Sequence, residues 1–254
     1  MVEVFGGEVA SGRSAADTGR RPEPVFARAD RGGHHCIFGV AMERPMSNET
    51  ADANAALIAA LRCLVDEFKA RNLASALLKS KNEKLLCDAL KSRMCAMLAQ
   101  APPFRVVREW GRGVGGLGRK RIDLAVLRGD RPIVLLEAKV AMSFDLVVKS
   151  DRRYPSGEVR KDIEKLRGVE FDAERYVLLL VTHNHKVPGD EYRASIPYFD
   201  GMEKHAPVST EKINDGFERF LDAVGKLSVS ASGEISAGYA FNTEVSVFWW
   251  LLVV

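Results

Sequence analysis

An α/β fold, with a mixed β-sheet flanked by helices, is predicted by three observations. Two apolar, β-branched runs within Arg121–Val140 flank the turn-forming segment Arg128-Gly129-Asp130-Arg131-Pro132 and read as a hairpin. The run Tyr176-Val-Leu-Leu-Leu-Val181 is apolar at every position, as a parallel strand covered on both faces should be. Amphipathic helical patterns precede, separate and follow these strands.

The elements follow in chain order. Residues 1–45 are rich in Gly, Arg, Ala and Asp without a sustained period, which predicts a disordered tail. Met42 and Met46 both stand just before the periodic sequence and read as alternative starts. His34-His35-Cys36 falls in the tail with nothing nearby to complete a metal ligand set. Residues 46–79 form an N-terminal helical extension, with Leu57, Leu61, Leu64 and Phe68 at helix spacing. Residues 80–254 form the α/β domain.

That domain opens with a helix over about Lys81–Ala99, carrying Leu86, Leu90, Met94 and Met97 on one side. Ser80-Lys-Asn-Glu83 has the spacing of a capping box, so Glu83 reads equally as a cap or as a site acid facing the sheet. Phe104–Trp110 is the first strand. The loop Gly111–Lys120 matches G-x-G-x-x-G twice, but a strand follows it, so no helix N-terminus is there to meet a phosphate. A P-loop is excluded because no Ser or Thr follows Lys120, and a kinase loop because H-R-D and D-F-G are missing. A basic hairpin loop remains.

A polar stretch runs from Lys139 to Pro155, then a helix buries Val159, Ile163 and Leu166. Its flanking Arg160, Lys161, Lys165 and Arg167 read as a solvated face from which one or two residues reach a substrate. The strand Arg175–Thr182 ends at His183 and His185, which read as loop histidines. Thr210–Val224 is a helix with Ile213, Phe217, Phe220 and Leu221 inward, and the last strands occupy about Ala237–Val254.

Composition narrows the function classes. The net charge of +3 over 254 residues is too small to argue for nucleic acid, but residues 101–170 hold sixteen Lys and Arg against ten Asp and Glu. The four cysteines lack zinc-ligand spacing and predict reduced thiols in a cytoplasmic protein. No apolar leader precedes a cleavage site, and the C-terminal apolar run is too short to span a bilayer, so neither secretion nor membrane insertion is expected. Oligomeric state is left open, a homodimer included.

The chemistry lies in the hairpin. Asp123, Glu137 and Lys139 are ionisable residues inside apolar runs, where isolated charges cost several kcal/mol or more (order of magnitude). A three-residue loop, Gly129–Arg131, would pair Leu127 with Ile133, Ala125 with Leu135 and Asp123 with Glu137. The two-residue period then puts Lys139 on the same face, and a one-residue slip would scatter the set. Two acids and a lysine on one face can hold a divalent cation and steer a water.

This pattern resembles the PD-(D/E)xK nuclease superfamily. The resemblance rests on Asp123, then Glu137-Ala138-Lys139, with Glu83 on a preceding helix, and it spans roughly Ser80 to His183; Ile122 stands where the naming proline would be. It implies a restriction-endonuclease-like fold and Mg²⁺-dependent hydrolysis of DNA, with Mn²⁺ as a substitute. Asp123, Glu137 and the Ala138 carbonyl would bind the ion, Lys139 would position or activate water, and Glu83 would assist. Arg119, Lys120, Arg121, Arg160 and Lys161 would contact nucleic acid. The alternatives are a catalytically inactive nucleic-acid-binding module of the same fold, or a chance motif in an interaction protein.

Overall fold

The computed structural model describes residues 48–68, 72–99, 103–111, 117–148, 155–206 and 208–254. The tail expected at 1–45, with His34, His35 and Cys36, lies outside the described residues, as do half of the glycine loop (112–116) and part of the polar stretch (149–154).

Seven α-helices and six strands are described: α1 Asn48–Arg62, α2 Leu73–Lys79, α3 Glu83–Leu98, β1 Phe104–Trp110, β2 Ile122–Arg128, β3 Arg131–Met142, α4 Ser143–Val147, α5 Ser156–Arg167, β4 Glu174–Asn184, α6 Phe199–His205, α7 Thr210–Val224, β5 Ser228–Ala240 and β6 Thr243–Val253. Short 3₁₀ turns cover Leu64–Phe68 and Asp190–Ser195. The strands form one mixed sheet in the order β1-β2-β3-β4-β6-β5. Only β3 and β4 run parallel, joined by the crossover through α4 and α5. The expected α/β class, a mixed sheet flanked by helices, is what the chain adopts.

Each sheet face has its own cover. On one side Leu57, Leu61, Leu77, Leu86, Leu90 and Met94 meet Leu124, Val126, Leu136, Leu178 and Trp249. The helical region read as an extension is therefore the lid of this face, burying apolar surface that a bare sheet would expose. On the other side Val159, Ile163 and Leu166 of α5 and Ile213, Phe217 and Phe220 of α7 cover Ala125, Leu135, Val177, Leu179 and Trp250. Leu221, expected inward, is only partly buried. Close approach of α7 to α4 depends on Gly216: a Cβ there would fall 2.8 Å from the Leu146 carbonyl oxygen.

Two anchors fix α5. The Arg175 guanidinium donates to the carbonyls of Leu166, Val169, Phe171 and Ala173, satisfying the end of the helix and the loop that follows it. Arg160 Nε donates to the Ala223 carbonyl of α7 at 2.7 Å.

Several local expectations are corrected. The hairpin keeps Ala125 opposite Leu135, but a bulge after Val126 shifts its tip, so Leu127 faces Pro132 rather than Ile133 and Arg128 faces Arg131. The connecting turn is thus two residues, Gly129-Asp130, with Gly129 at φ +60°. α3 begins at Glu83 with Asn82 before it and no side-chain cap, while Ser80 ends α2; the capping box does not form. Met97 is 36% exposed, because the helix face turns outward at its end. β3 runs on to Met142 and passes straight into α4. β5 starts at Ser228, well before Ala237, since an edge strand with one open face needs little apolar sequence.

Candidate functional site

The acids converge where β2 and β3 meet α5. From Leu124 opposite Leu136 the register continues to bring Asp123 beside Glu137, and Asp123 Oδ2 accepts the Ala138 N–H at 2.9 Å. A strand residue's N–H and C=O point the same way, so the Ala138 carbonyl also opens toward β2. On the β1 side the ladder skips Glu109, a non-glycine residue at φ +50°. Arg108 Nε supplies a donor there, reaching the Asp123 main-chain oxygen at 2.8 Å.

Glu137 is 2% exposed. Its Oε2 lies 2.6 Å from Lys165 Nζ, and its Oε1 has no hydrogen-bond partner. Burial, with Asp123 adding to it and Lys165 opposing, pushes the Glu137 carboxyl up to about 9. Lys139 Nζ stands 3.3 Å from Glu83 Oε2 and 3.4 Å from Asp162 Oδ2. Burial would lower the Lys139 ammonium, but Asp162, Glu83 and Asp123 outweigh it and raise it above an ordinary lysine. Burial likewise raises Glu83, against the pull of Lys139.

The structure therefore brings together Asp123, Glu137, Lys139 and Glu83, and adds two residues of α5. Asp162 bridges the lysines, with Oδ1 3.6 Å from Lys165 Nζ and Oδ2 near Lys139 but not aligned for a hydrogen bond. The signal that could have found them was D-x-x-K at one helical turn beside the buried stripe Val159, Ile163 and Leu166. It was masked because a lysine flanking such a stripe ordinarily points to solvent.

The expected nucleic-acid contacts are more dispersed. Arg119, Lys120 and Arg121 are exposed at the start of β2, Arg121 paired with Glu109. Arg160 and Lys161 lie on the outer side of α5, Arg160 engaged with α7 and Lys161 2.7 Å from Glu158.

Four carboxyl groups, those of Glu83, Asp123, Glu137 and Asp162, thus gather around two ammonium groups. Among the described residues no three His, Cys, Asp or Glu side chains stand together as a ready ligand set. The ammonium groups of Lys139 and Lys165 lie between the acids instead. The donor chemistry still fits a hard cation, because the donors are oxygens and the Glu137 Oε1 is buried and unpaired.

A second polar region lies at the far end of β4. His183 Nδ1 is 3.2 Å from Ser143 Oγ and His185 Nε2 is 3.0 Å from Ser246 Oγ. Ser143, Phe144, Asn184, His185, Met202 and Glu203 contribute to a cavity of about 350 Å³. Burial, with His185 adding to it, pushes His183 down to about 4, so its imidazole is neutral.

Cys63, Cys87 and Cys95 are free thiols, and Cys36 lies outside the described residues. No described helix is long and apolar enough to cross a membrane. No protein-family model matches the chain, and neither a curated protein nor a solved structure matches it.

Proposed function

We propose that this chain is a Mg²⁺-dependent nuclease of the restriction-endonuclease-like kind, hydrolysing phosphodiester bonds in DNA. The observation that carries the reading is a buried carboxylate, Glu137, with one oxygen unpaired, set beside Asp123 and two lysines on a sheet face that is otherwise apolar. A chain that only had to fold would gain by filling these positions with Leu or Val.

Asp123 and Glu137, with the Ala138 carbonyl, would hold Mg²⁺, or Mn²⁺ in its place. When bound, such an ion lowers the pKa of a coordinated water and offsets phosphate charge. Lys139, kept charged by Glu83 and Asp162, orients the attacking water and stabilises the charge that gathers on phosphorus. The water oxygen bonds to phosphorus as the bond to the departing sugar oxygen breaks; the water's proton leaves by way of Glu83, and the sugar alkoxide takes a proton from solvent to become the hydroxyl. The exposed Arg119, Lys120 and Arg121, just before the strand that carries Asp123, meet the DNA backbone; Arg160 and Lys161 extend that surface along α5.

The test is nicking of supercoiled plasmid with Mg²⁺ or Mn²⁺. Wild type is expected to nick, and Asp123→Ala and Glu137→Ala to fall to background with little loss of melting temperature in EDTA. A wild type inactive with every divalent metal, together with severe destabilisation of both variants, would overturn the reading. A second reading, an inactive nucleic-acid-binding module, is favoured by one observation: both cluster lysines are already ion-paired. A mobility shift without cleavage would select it.

A further inference from the structure

Lys165 occupies a position built from oxygens. Its Nζ is 2.6 Å from Glu137 Oε2, 3.1 Å from the Arg121 main-chain oxygen and 3.6 Å from Asp162 Oδ1. Two carboxylates and a carbonyl are the hard-oxygen donors that Mg²⁺, Mn²⁺ and Ca²⁺ take. Its close contacts are to Glu137 Oε2 and the Arg121 carbonyl, with Asp162 Oδ1 at ion-pair distance, and Glu137 Oε1 is left without a hydrogen-bond partner. That atom belongs to a side chain 2% exposed, where an unpartnered oxygen calls for an explanation. A cation with six coordination positions supplies one.

We propose that Glu137, Asp162 and the Arg121 carbonyl form a divalent-cation site that Lys165 fills as a tethered ammonium, and that an ion enters by displacing it. The site shares Glu137 with the centre described above but adds Asp162 and Arg121. It rests on the nuclease reading only for its consequence: a displaced Lys165, on a four-carbon stem at the edge of the cluster, is free to pair with a substrate phosphate. Until the ion arrives, the same ammonium keeps Glu137 and Asp162 from repelling each other. One side chain thereby holds the acids together in the metal-free protein and vacates the position on loading.

The experiment is a calorimetric titration of the full chain with Mn²⁺ alone, alongside melting curves in EDTA and in Mn²⁺. Lys165→Met removes the competitor and is expected to bind Mn²⁺ roughly tenfold more tightly than wild type. It should also melt lower in EDTA yet gain more from Mn²⁺ than wild type does. Equal or weaker affinity in Lys165→Met overturns the displacement. Asp162→Asn keeps the lysine and is expected to lose about tenfold in Mn²⁺ affinity; unchanged affinity removes Asp162 from the site, and this variant decides the matter if Lys165→Met does not fold. A wild type that nicks plasmid while Lys165→Met shows no gain defeats this inference and spares the nuclease reading. A gain without any nicking by wild type does the reverse.

Discussion

The acid–lysine cluster and the histidine–serine region are both polar islands on one largely apolar sheet, and they satisfy their polar groups in opposite ways. At the end of β4, His183 meets Ser143 and His185 meets Ser246, each imidazole with a hydroxyl partner and, among the described residues, no ion pair. At β2, β3 and α5, charges are buried against charges, and oxygens of Glu137 and Asp162 are left without hydrogen bonds. Neutral pairing is the cheaper way to bury polarity, since an unpaired buried polar group costs about 1–3 kcal/mol, and more if charged. A buried polar region is therefore better judged by what it leaves unpaired than by how many polar residues it gathers.

The largest test of the contrast falls on Lys139. If its charge acts on the reaction, Lys139→Ala should lower the cleavage rate by about 10²–10⁴-fold. Lys139→Arg should lose most cleavage while keeping Mn²⁺ and DNA binding, because a planar guanidinium cannot take the place of a compact ammonium. An ion pair that only braces the fold gives the opposite order, with Arg tolerated and Ala destabilised. Full activity in Lys139→Ala would reduce the cluster to a structural network.

A second test uses pH on the metal-free protein. Glu137 titrates near 9 folded and near 4.5 unfolded, so the folded state holds a proton that the unfolded state has lost. Its contribution is present below 4.5 and is lost as pH rises through about 9. Glu137→Gln cannot titrate, so its denaturation curves in EDTA should depend less on pH across that window. The variant should overtake wild type at the alkaline end by a few degrees of melting temperature, on the scale of about 2–4 °C per kcal/mol for a domain of this size. Parallel stability curves for the two proteins would show that Glu137 is not strained by its burial.

The smallest effect is expected in the other region. His183 titrates near 4 folded against 6.5 in its ordinary state, so the folded form binds fewer protons. Its contribution is present above 6.5 and is lost as pH falls toward 4. His183→Gln should flatten stability between those values and leave plasmid nicking unchanged. A large loss of cleavage would join the two regions into one site.

These contrasts were partly legible in the residues. The apolar runs around Asp123, Glu137 and Lys139 were long enough for alternation to place all three on one face, and β3 and β4 gave themselves away as strands by continuous Val, Leu and Ile. Glu83 was ambiguous because a cap and a site acid have the same spacing. Only the structure separates them: the helix begins at Glu83 itself, leaving its side chain for Lys139. Asp162 and Lys165 were hidden because local periodicity says which side of a helix is buried but not what chemistry waits across the gap. The Val126 bulge and the Ser228 start of β5 were illegible for a related reason. Both depend on pairing between strands, which no single window contains.

Arg175 has a consequence for how quickly the cluster can respond. By gripping the carbonyls at the end of α5 from the start of β4, while Arg160 ties the same helix to α7, it leaves the backbone beneath Asp162 and Lys165 no slack. Exchange of ammonium for ion would then be carried by rotations along one aliphatic stem and not by a shift of the helix. Loading would follow the arrival of the ion, with no slow helix movement to wait for.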